Sequence, residues 1–366
     1  MIIESKFRYL QIFMNKKVHN FSAGPSILPD EVFQEASSAI KNFNNSGLSI
    51  LEISHRSKDF MEVLEEARST ALDIAELNKD EYSCLFLQGG ASLQFLMTAY
   101  NFLNHNAAYI NTGSWSSKAM KEAKMFGNVS EIGSSADKNF NYIPKDLSLN
   151  ESFDYLHLTS NNTIFGTQFH CFPDSEYPLF ADMSSDIFSR KINFSKFDLI
   201  YAGAQKNMGA AGVTMVVVKK SLLGKINRKI PVILDYQKHI EAGSLLNTPP
   251  VFSIYVSLLT LRWIEKEGGL KSMEKRNKEK ADLLYKTIDT HPAFYCPIAK
   301  EDRSIMNAVF FLTDPTKEDA FLAQCKNKGM IGVKGYRTVG GIRVSMYNAL
   351  PMSSVQAFCD LMQQFS

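Results

Sequence analysis

Cysteine is sparse in this chain and forms no paired pattern. Its 366 residues hold five cysteines, Cys84, Cys171, Cys296, Cys325 and Cys359, odd in number, scattered, and without a C-x-x-C pair. That excludes a disulfide framework and a cysteine zinc site; no metal is expected, and a reducing compartment, the cytoplasm, fits. Charge of one sign is missing too. Forty Lys+Arg stand against 38 Asp+Glu, for a net charge of +2. A bulk nucleic-acid binder would carry a clear basic excess or stripe. No apolar run approaches the roughly 20 residues of a membrane span, so no membrane partner is expected. The start, MIIESKFRYLQIFMNKK, places Glu4, Lys6 and Arg8 where a secretory signal needs an unbroken apolar stretch. A second methionine, Met14, opens MNKKVHNF and offers an alternative start, so residues 1–17 are read as an N-terminal extension. Twenty Gly and 12 Pro are too few for a collagen-like or linker-like chain.

What is present is an ordinary globular composition, 45% apolar and 21% charged. The length suits two domains and a sizeable core. Short apolar runs alternate with helix-like segments. SCLFL (83–87), AAYI (107–110), DYLHLTS (154–160), PLFAD (178–182), DLIYAG (198–203) and VTMVVVKK (213–220) read as strands. Such alternation argues a mostly parallel sheet covered on both faces. After NTPP (247–250) come two long helical stretches, VFSIYVSLLTLRWIEKE and KSMEKRNKEKADLLYKTIDT. The chain then reads strand (NAVFFL), helix (TKEDAFLAQCKNKG), strand (GIRVSMY), helix (SSVQAFCDLMQQF), a smaller α+β module. The expected division is an arm at 18–29, a large domain at 30–271 and a small C-terminal domain at 272–366.

Open α/β sheets bind ligands beyond the carboxyl ends of their strands. At those ends stand Gln88-Gly89-Gly90-Ala91-Ser92, Trp115, Asn161-Asn162-Thr163, Asp182 and Gln205-Lys206. A helix opening on small residues offers backbone N–H groups to an anion. Together the set supplies a phosphate cradle, an aromatic plate, a hydroxyl, a carboxylate and a lysine. Pyridoxal phosphate needs these: a lysine to bind it covalently, a carboxylate to keep its ring nitrogen protonated, and an aromatic to stack on the ring. Singly, each residue has an ordinary role open to it. Lys206 could be a surface lysine, Asp182 a helix cap and Trp115 a core residue. A second, basic constellation is Arg56 in ISHRSKDF with Arg337 and Arg343 in GYRTVGGIRVS. Arginine forks suit carboxylate and phosphate, and a substrate with two anionic ends would need two such subsites.

The segments NFSAGPSILP, SHRSKDF, FLQGGASLQF, NTGSW, SNNTIFGTQF, ADMSSDIFSR, YAGAQKN, NTPPVFSIY and GGIRVSMYNA run from residue 20 to residue 349. Together they resemble the phosphoserine aminotransferases, class-V aminotransferases of the fold-type I pyridoxal phosphate group. The resemblance implies an α/β protein acting as a homodimer with shared active sites. It implies transamination between L-glutamate and 3-phosphooxypyruvate, a step of L-serine biosynthesis. Lys206 would carry the cofactor, Asp182 would hold its ring nitrogen and Trp115 would stack on it. Thr163 would bond near the ring oxygen, and Ala91, Ser92 and Gln205 would hold the phosphate. Asn247 and Thr248 would reach the cofactor phosphate of the neighbouring subunit. His55 and Arg56, also across the dimer, would meet the substrate's distal anion with Arg337. Arg343 would take the α-carboxylate, and Ala23 would lie near the substrate.

Two departures from the family pattern stand out: Tyr336 replaces the histidine before Arg337, and Ala210 replaces a proline after the lysine. A tyrosine can donate a hydrogen bond but carries no positive charge, so weaker phosphate binding or a shifted preference is expected. Three other readings stay open. One is a class-V aminotransferase for a different dianion, and another is a non-catalytic protein of the same fold. The third is an NAD enzyme using QGGAS, although that turn lacks G-x-G-x-x-G spacing. A desulfurase would need a cysteine on a mobile loop, whereas all five here read as structural.

Overall fold

The computed structural model describes residues 18–148 and 150–365; the extension at 1–17 lies outside them. In chain order, the first half carries β1 (His19–Asn20), α1 (Asp30–Lys41), α2 (Lys58–Ile74), β2 (Tyr82–Leu87), α3 (Gly90–Phe102), β3 (Asn106–Asn111), α4 (Ser114–Ala123), β4 (Asn128–Ser134), β5 (Tyr155–Thr159) and β6 (Leu179–Asp182). The second half carries β7 (Leu199–Gly203), β8 (Thr214–Lys219), α5 (Tyr236–Glu241), α6 (Val251–Lys266), α7 (Gly269–Thr290), β9 (Phe294–Tyr295), β10 (Asn307–Leu312), α8 (Glu318–Asn327), β11 (Met330–Ile331), β12 (Ile342–Ser345) and α9 (Met352–Gln363).

Seven strands form one sheet in the order β2-β8-β7-β6-β5-β3-β4. It is parallel from β4 to β7, and β8 runs antiparallel to both β7 and β2. Every residue of β2, β3, β5, β6 and β7 is buried. A sheet covered on both faces demands such continuous apolar runs. Alternate side chains feed two different cores. Phe86, Ala108, Leu158, Ala181 and Ile200 face α1, α2 and α6. Leu87, Tyr109, Tyr155, Phe180 and Tyr201 face α3 and α4. The expected strands are all present. The one the sequence pattern missed in this sheet is β4, NVSEIGS, a polar edge strand whose only buried residue is Ile132.

A third core is built on residues 281–365 together with Phe21. There β10 pairs antiparallel with β12 and β9, while β1 pairs parallel with β11. Phe21 packs edge-on against Phe358, ring centroids 5.3 Å apart. The chain then crosses to the large sheet, where the Ser26 N–H donates to the Gln205 carbonyl at 2.9 Å. This arm thereby ties the smaller core to the turn that carries Lys206. All five cysteines are free. Cys84, Cys325 and Cys359 are buried, and burial pushes the Cys84 thiol up to about 12. Cys171 is the exception to a structural reading: it is exposed, in the irregular segment after Phe169. No helix of the described residues is long and apolar enough to cross a membrane, and they contain no cluster of metal-ligating side chains.

Candidate active site

Beyond the carboxyl ends of β2, β5, β6 and β7 lies a cleft of about 320 Å³. Its first wall is the start of α3. Gly89 and Gly90 are left-handed, at φ 91° and 66°, and a Cβ on Gly89 would lie 2.4 Å from Leu93 Cδ2. Only glycine makes this turn without strain. No side chain caps the helix, so the first-turn N–H groups beside Gly90, Ala91 and Ser92 face the cleft as an anion site. Trp115 enters from the first turn of α4.

Asp182 ends β6, in register with Thr159 on β5 and Tyr201 on β7. The Ser184 N–H donates to its Oδ1 at 2.9 Å. Burial raises the Asp182 pKa against the pull of Ser184 and the Lys206 charge, so a cation placed against it would be held strongly. Lys206 follows β7 and is half-buried, its Nζ donating to Thr163 Oγ1 at 3.1 Å. Burial lowers its pKa; Asp182 opposes this, and the nearby Arg343 adds to it. The amine lies 5.9 Å from the centre of the Trp115 ring. Arg343, on β12, donates from Nη1 to the Thr163 carbonyl at 3.4 Å.

Three buried polar atoms of cleft residues have no partner: Trp115 Nε1, Thr159 Oγ1 and Arg343 Nε. Such atoms cost about 1–3 kcal/mol each unless something satisfies them. Uncapped helix N–H groups, a buried carboxylate and a facing amine fit the phosphate, ring nitrogen and carbonyl of pyridoxal phosphate.

The cleft brings together Ala23, Ala91, Ser92, Trp115, Thr163, Asp182, Gln205, Lys206, Tyr336 and Arg343 of the expected residues. Ala23 is held there by Tyr347, whose hydroxyl donates to the Ala23 carbonyl at 2.8 Å. His55, Arg56, Asn247, Thr248 and Arg337 do not line it. Arg56, Asn247, Thr248 and Arg337 are exposed, and Asn247 Nδ2 donates to Gln88 Oε1 at 2.9 Å. Asn161, named with Thr163 at its strand end, lines the cleft too, as do Thr159 and Ser184, which were not among the expected residues. For Thr159 the signal was available. It closes β5 as Asp182 closes β6.

A family model for the class-V aminotransferases matches residues 18–358, and the chain belongs to that family. The fold is that of the fold-type I pyridoxal phosphate enzymes, α/β as expected. Within the class, its relatives are phosphoserine aminotransferases. That of Flavobacterium johnsoniae is 57% identical over 349 residues, 95% of this chain and 98% of that protein. The structure of the enzyme from Bacillus circulans subsp. alkalophilus is 41% identical, with a TM-score of 0.93 over 96% of this chain and 98% of that one. The PLP-bound enzyme from Trichomonas vaginalis is 36% identical, with a TM-score of 0.89 over 95% of this chain and 100% of that one. The reading of QGGAS as a dinucleotide turn falls with this result.

Proposed function

We propose that the chain acts as a pyridoxal 5′-phosphate-dependent phosphoserine aminotransferase. It exchanges the amino group of L-glutamate for the carbonyl oxygen of 3-phosphooxypyruvate, giving 2-oxoglutarate and O-phospho-L-serine for serine biosynthesis. The observation that carries this reading is the pairing of Asp182 and Lys206 in one cleft, between an uncapped helix start and Arg343.

When bound, the cofactor supplies an electron sink for negative charge at the substrate Cα. The α3 N–H groups, Ser92 and Gln205 would hold its phosphate, Trp115 would stack on its ring, and Asp182 would keep a proton on the ring nitrogen. With the cofactor bound, the Lys206 Nζ would take the proton from Cα of the amino donor as general base and, in the second half-reaction, give a proton to Cα of the acceptor as general acid. Its lowered pKa favours the neutral amine that this role needs. Arg343 orients the α-carboxylate.

The distal anion is either glutamate's side-chain carboxylate or a phosphate. We assign it to Arg337, assisted by Tyr336, and to His55 and Arg56 of the partner subunit in a homodimer. Asn247 and Thr248 of the partner subunit would complete the phosphate site. Two features support the dimer. His55, Arg56, Asn247 and Thr248 lie off the cleft of their own chain, and Leu48, Leu51 and Met61 near the His55 loop are exposed. In the same reading, residues 30–271 form the cofactor-binding domain, 272–366 the smaller domain and 18–29 the arm between them. The cytoplasm is the proposed location, supported by the free cysteines.

Absorbance of the cofactor-loaded protein tests the reading. A visible band that bleaches with glutamate and returns with 3-phosphooxypyruvate is expected. Bleaching without return would keep an aminotransferase but discard the phosphorylated acceptor, with Tyr336 the first suspect. No band after adding the cofactor would overturn the proposal.

A further inference from the structure

Arg343 carries the role of α-carboxylate ligand in the reading above, yet little holds its guanidinium. Its one side-chain hydrogen bond among the described residues is the 3.4 Å contact to the Thr163 carbonyl, and its Nε has no partner. Its position therefore follows from where β12 sits relative to the Thr163 segment. Arg343 and Ser345 share one face of β12, opposite Val309 and Asn307 of β10.

Asn307 is fully buried and joins the two sides with one side chain. Its Oδ1 accepts from Asn161 Nδ2 at 2.8 Å. Its Nδ2 donates to Ser345 Oγ at 2.9 Å and reaches the Tyr347 hydroxyl at 3.3 Å. Asn161 is itself anchored, donating to Ser185 Oγ at 2.8 Å and accepting from Ser304 Oγ at 2.5 Å. Asn161 lies two residues before Thr163, and Ser345 two residues after Arg343. An amide suits this place because it accepts toward one side and donates toward the other.

We infer that Asn307 is a positioning residue that sets the distance between Arg343 and the Lys206–Thr163 pair, and so sets substrate affinity through the α-carboxylate. This rests on the proposed aminotransferase reaction. Loss of the bridge should weaken every substrate alike, because all four carry that carboxylate. It should leave the cofactor's surroundings unaltered.

The test uses the cofactor-loaded enzyme and two variants, Asn307→Leu, of similar size with no hydrogen bonds, and the milder Ser345→Ala. Bleaching of the visible band is titrated with glutamate and, separately, with O-phospho-L-serine. In Asn307→Leu, the half-saturating concentration of both should rise on the order of tenfold, as for a lost buried hydrogen bond. The spectrum without substrate and the limiting bleaching rate should stay near the parent's. Ser345→Ala should move the same parameter less, and the double variant should show less than the sum. If Asn307→Leu does not fold, Ser345→Ala carries the test. Unchanged half-saturation with only a lower melting temperature would reduce Asn307 to structural support and overturn the inference. So would a slower limiting rate at unchanged half-saturation. If the parent enzyme itself fails to bleach with glutamate, the reaction assignment falls first and this inference with it.

Discussion

The Lys206 amine donates to the Thr163 hydroxyl at 3.1 Å, across the strand that ends in Asp182. This hydrogen bond is the amine's only one among the described residues. It holds Nζ on the Trp115 side of the cleft while burial and Arg343 keep its pKa low.

Thr163→Val removes that acceptor and keeps the shape. A hydrogen bond to an ionisable group of this kind is worth about 1.5–3 kcal/mol, so turnover should fall roughly 10- to 100-fold. Thr163→Ser should remain within a few-fold of the parent. Steady-state kinetics and the rate of cofactor loss check this. Equal losses in both variants would remove Thr163 from the Lys206 environment.

The proposed sharing of the active site between two subunits predicts complementation. Lys206→Ala and Arg56→Ala should each be nearly inactive alone. In a mixed dimer, one site would combine an intact Lys206 with an intact Arg56 from the other subunit. Co-refolded or exchanged mixtures should therefore regain activity that neither parent variant has. No gain in a dimer shown by sedimentation to be mixed would place Arg56 outside the neighbouring site.

His157 is buried, its Nε2 2.8 Å from the Tyr201 hydroxyl and its ring stacked on Tyr109. Burial pushes its pKa from 6.5 down to about 3. The native state therefore keeps it neutral while the unfolded chain takes up a proton below 6.5. The stability it supports is complete above that pH and is lost as pH falls toward 3, at up to about 1.4 kcal/mol per pH unit. His157→Gln cannot titrate, so the stability difference between parent and variant should shift in the variant's favour from pH 7 to pH 4. Denaturant unfolding at each pH reads this. A constant difference would mean that His157 protonates without cost.

The loop that presents Tyr336 and Arg337 is closed by the Gly335 N–H donating to the Gly341 carbonyl at 2.7 Å. A Cβ on Gly335 would fall 1.8 Å from the Gly340 carbonyl oxygen, a backbone atom that cannot swing aside. Gly335→Ala should therefore open the loop and raise the KM for O-phospho-L-serine on the order of tenfold or more, the scale of a lost charged hydrogen bond. Cofactor loading should be spared, because the cradle lies on α3. An unchanged KM would detach this loop from the distal subsite.

The sequence by itself determined the sheet, the order of its strands along the chain and the list of residues at their ends. Short continuous apolar runs, β-branched residues and glycine turns are local properties, legible without coordinates. Strand β4 escaped because an edge strand can be polar. The strand-end reading placed Lys206 and Thr163 in one site, but their hydrogen bond is seen only in the folded chain. The spatial order of strands, which places β6 between β5 and β7, is a tertiary fact. The same holds for the Asn161–Asn307 bridge, whose partners are 146 residues apart and whose motif is merely a buried amide. Tertiary structure also decided which expected residues share one chain's cleft. His55, Arg56, Asn247, Thr248 and Arg337 lie outside it, because a linear motif records residue type and not which surface of the fold will carry it.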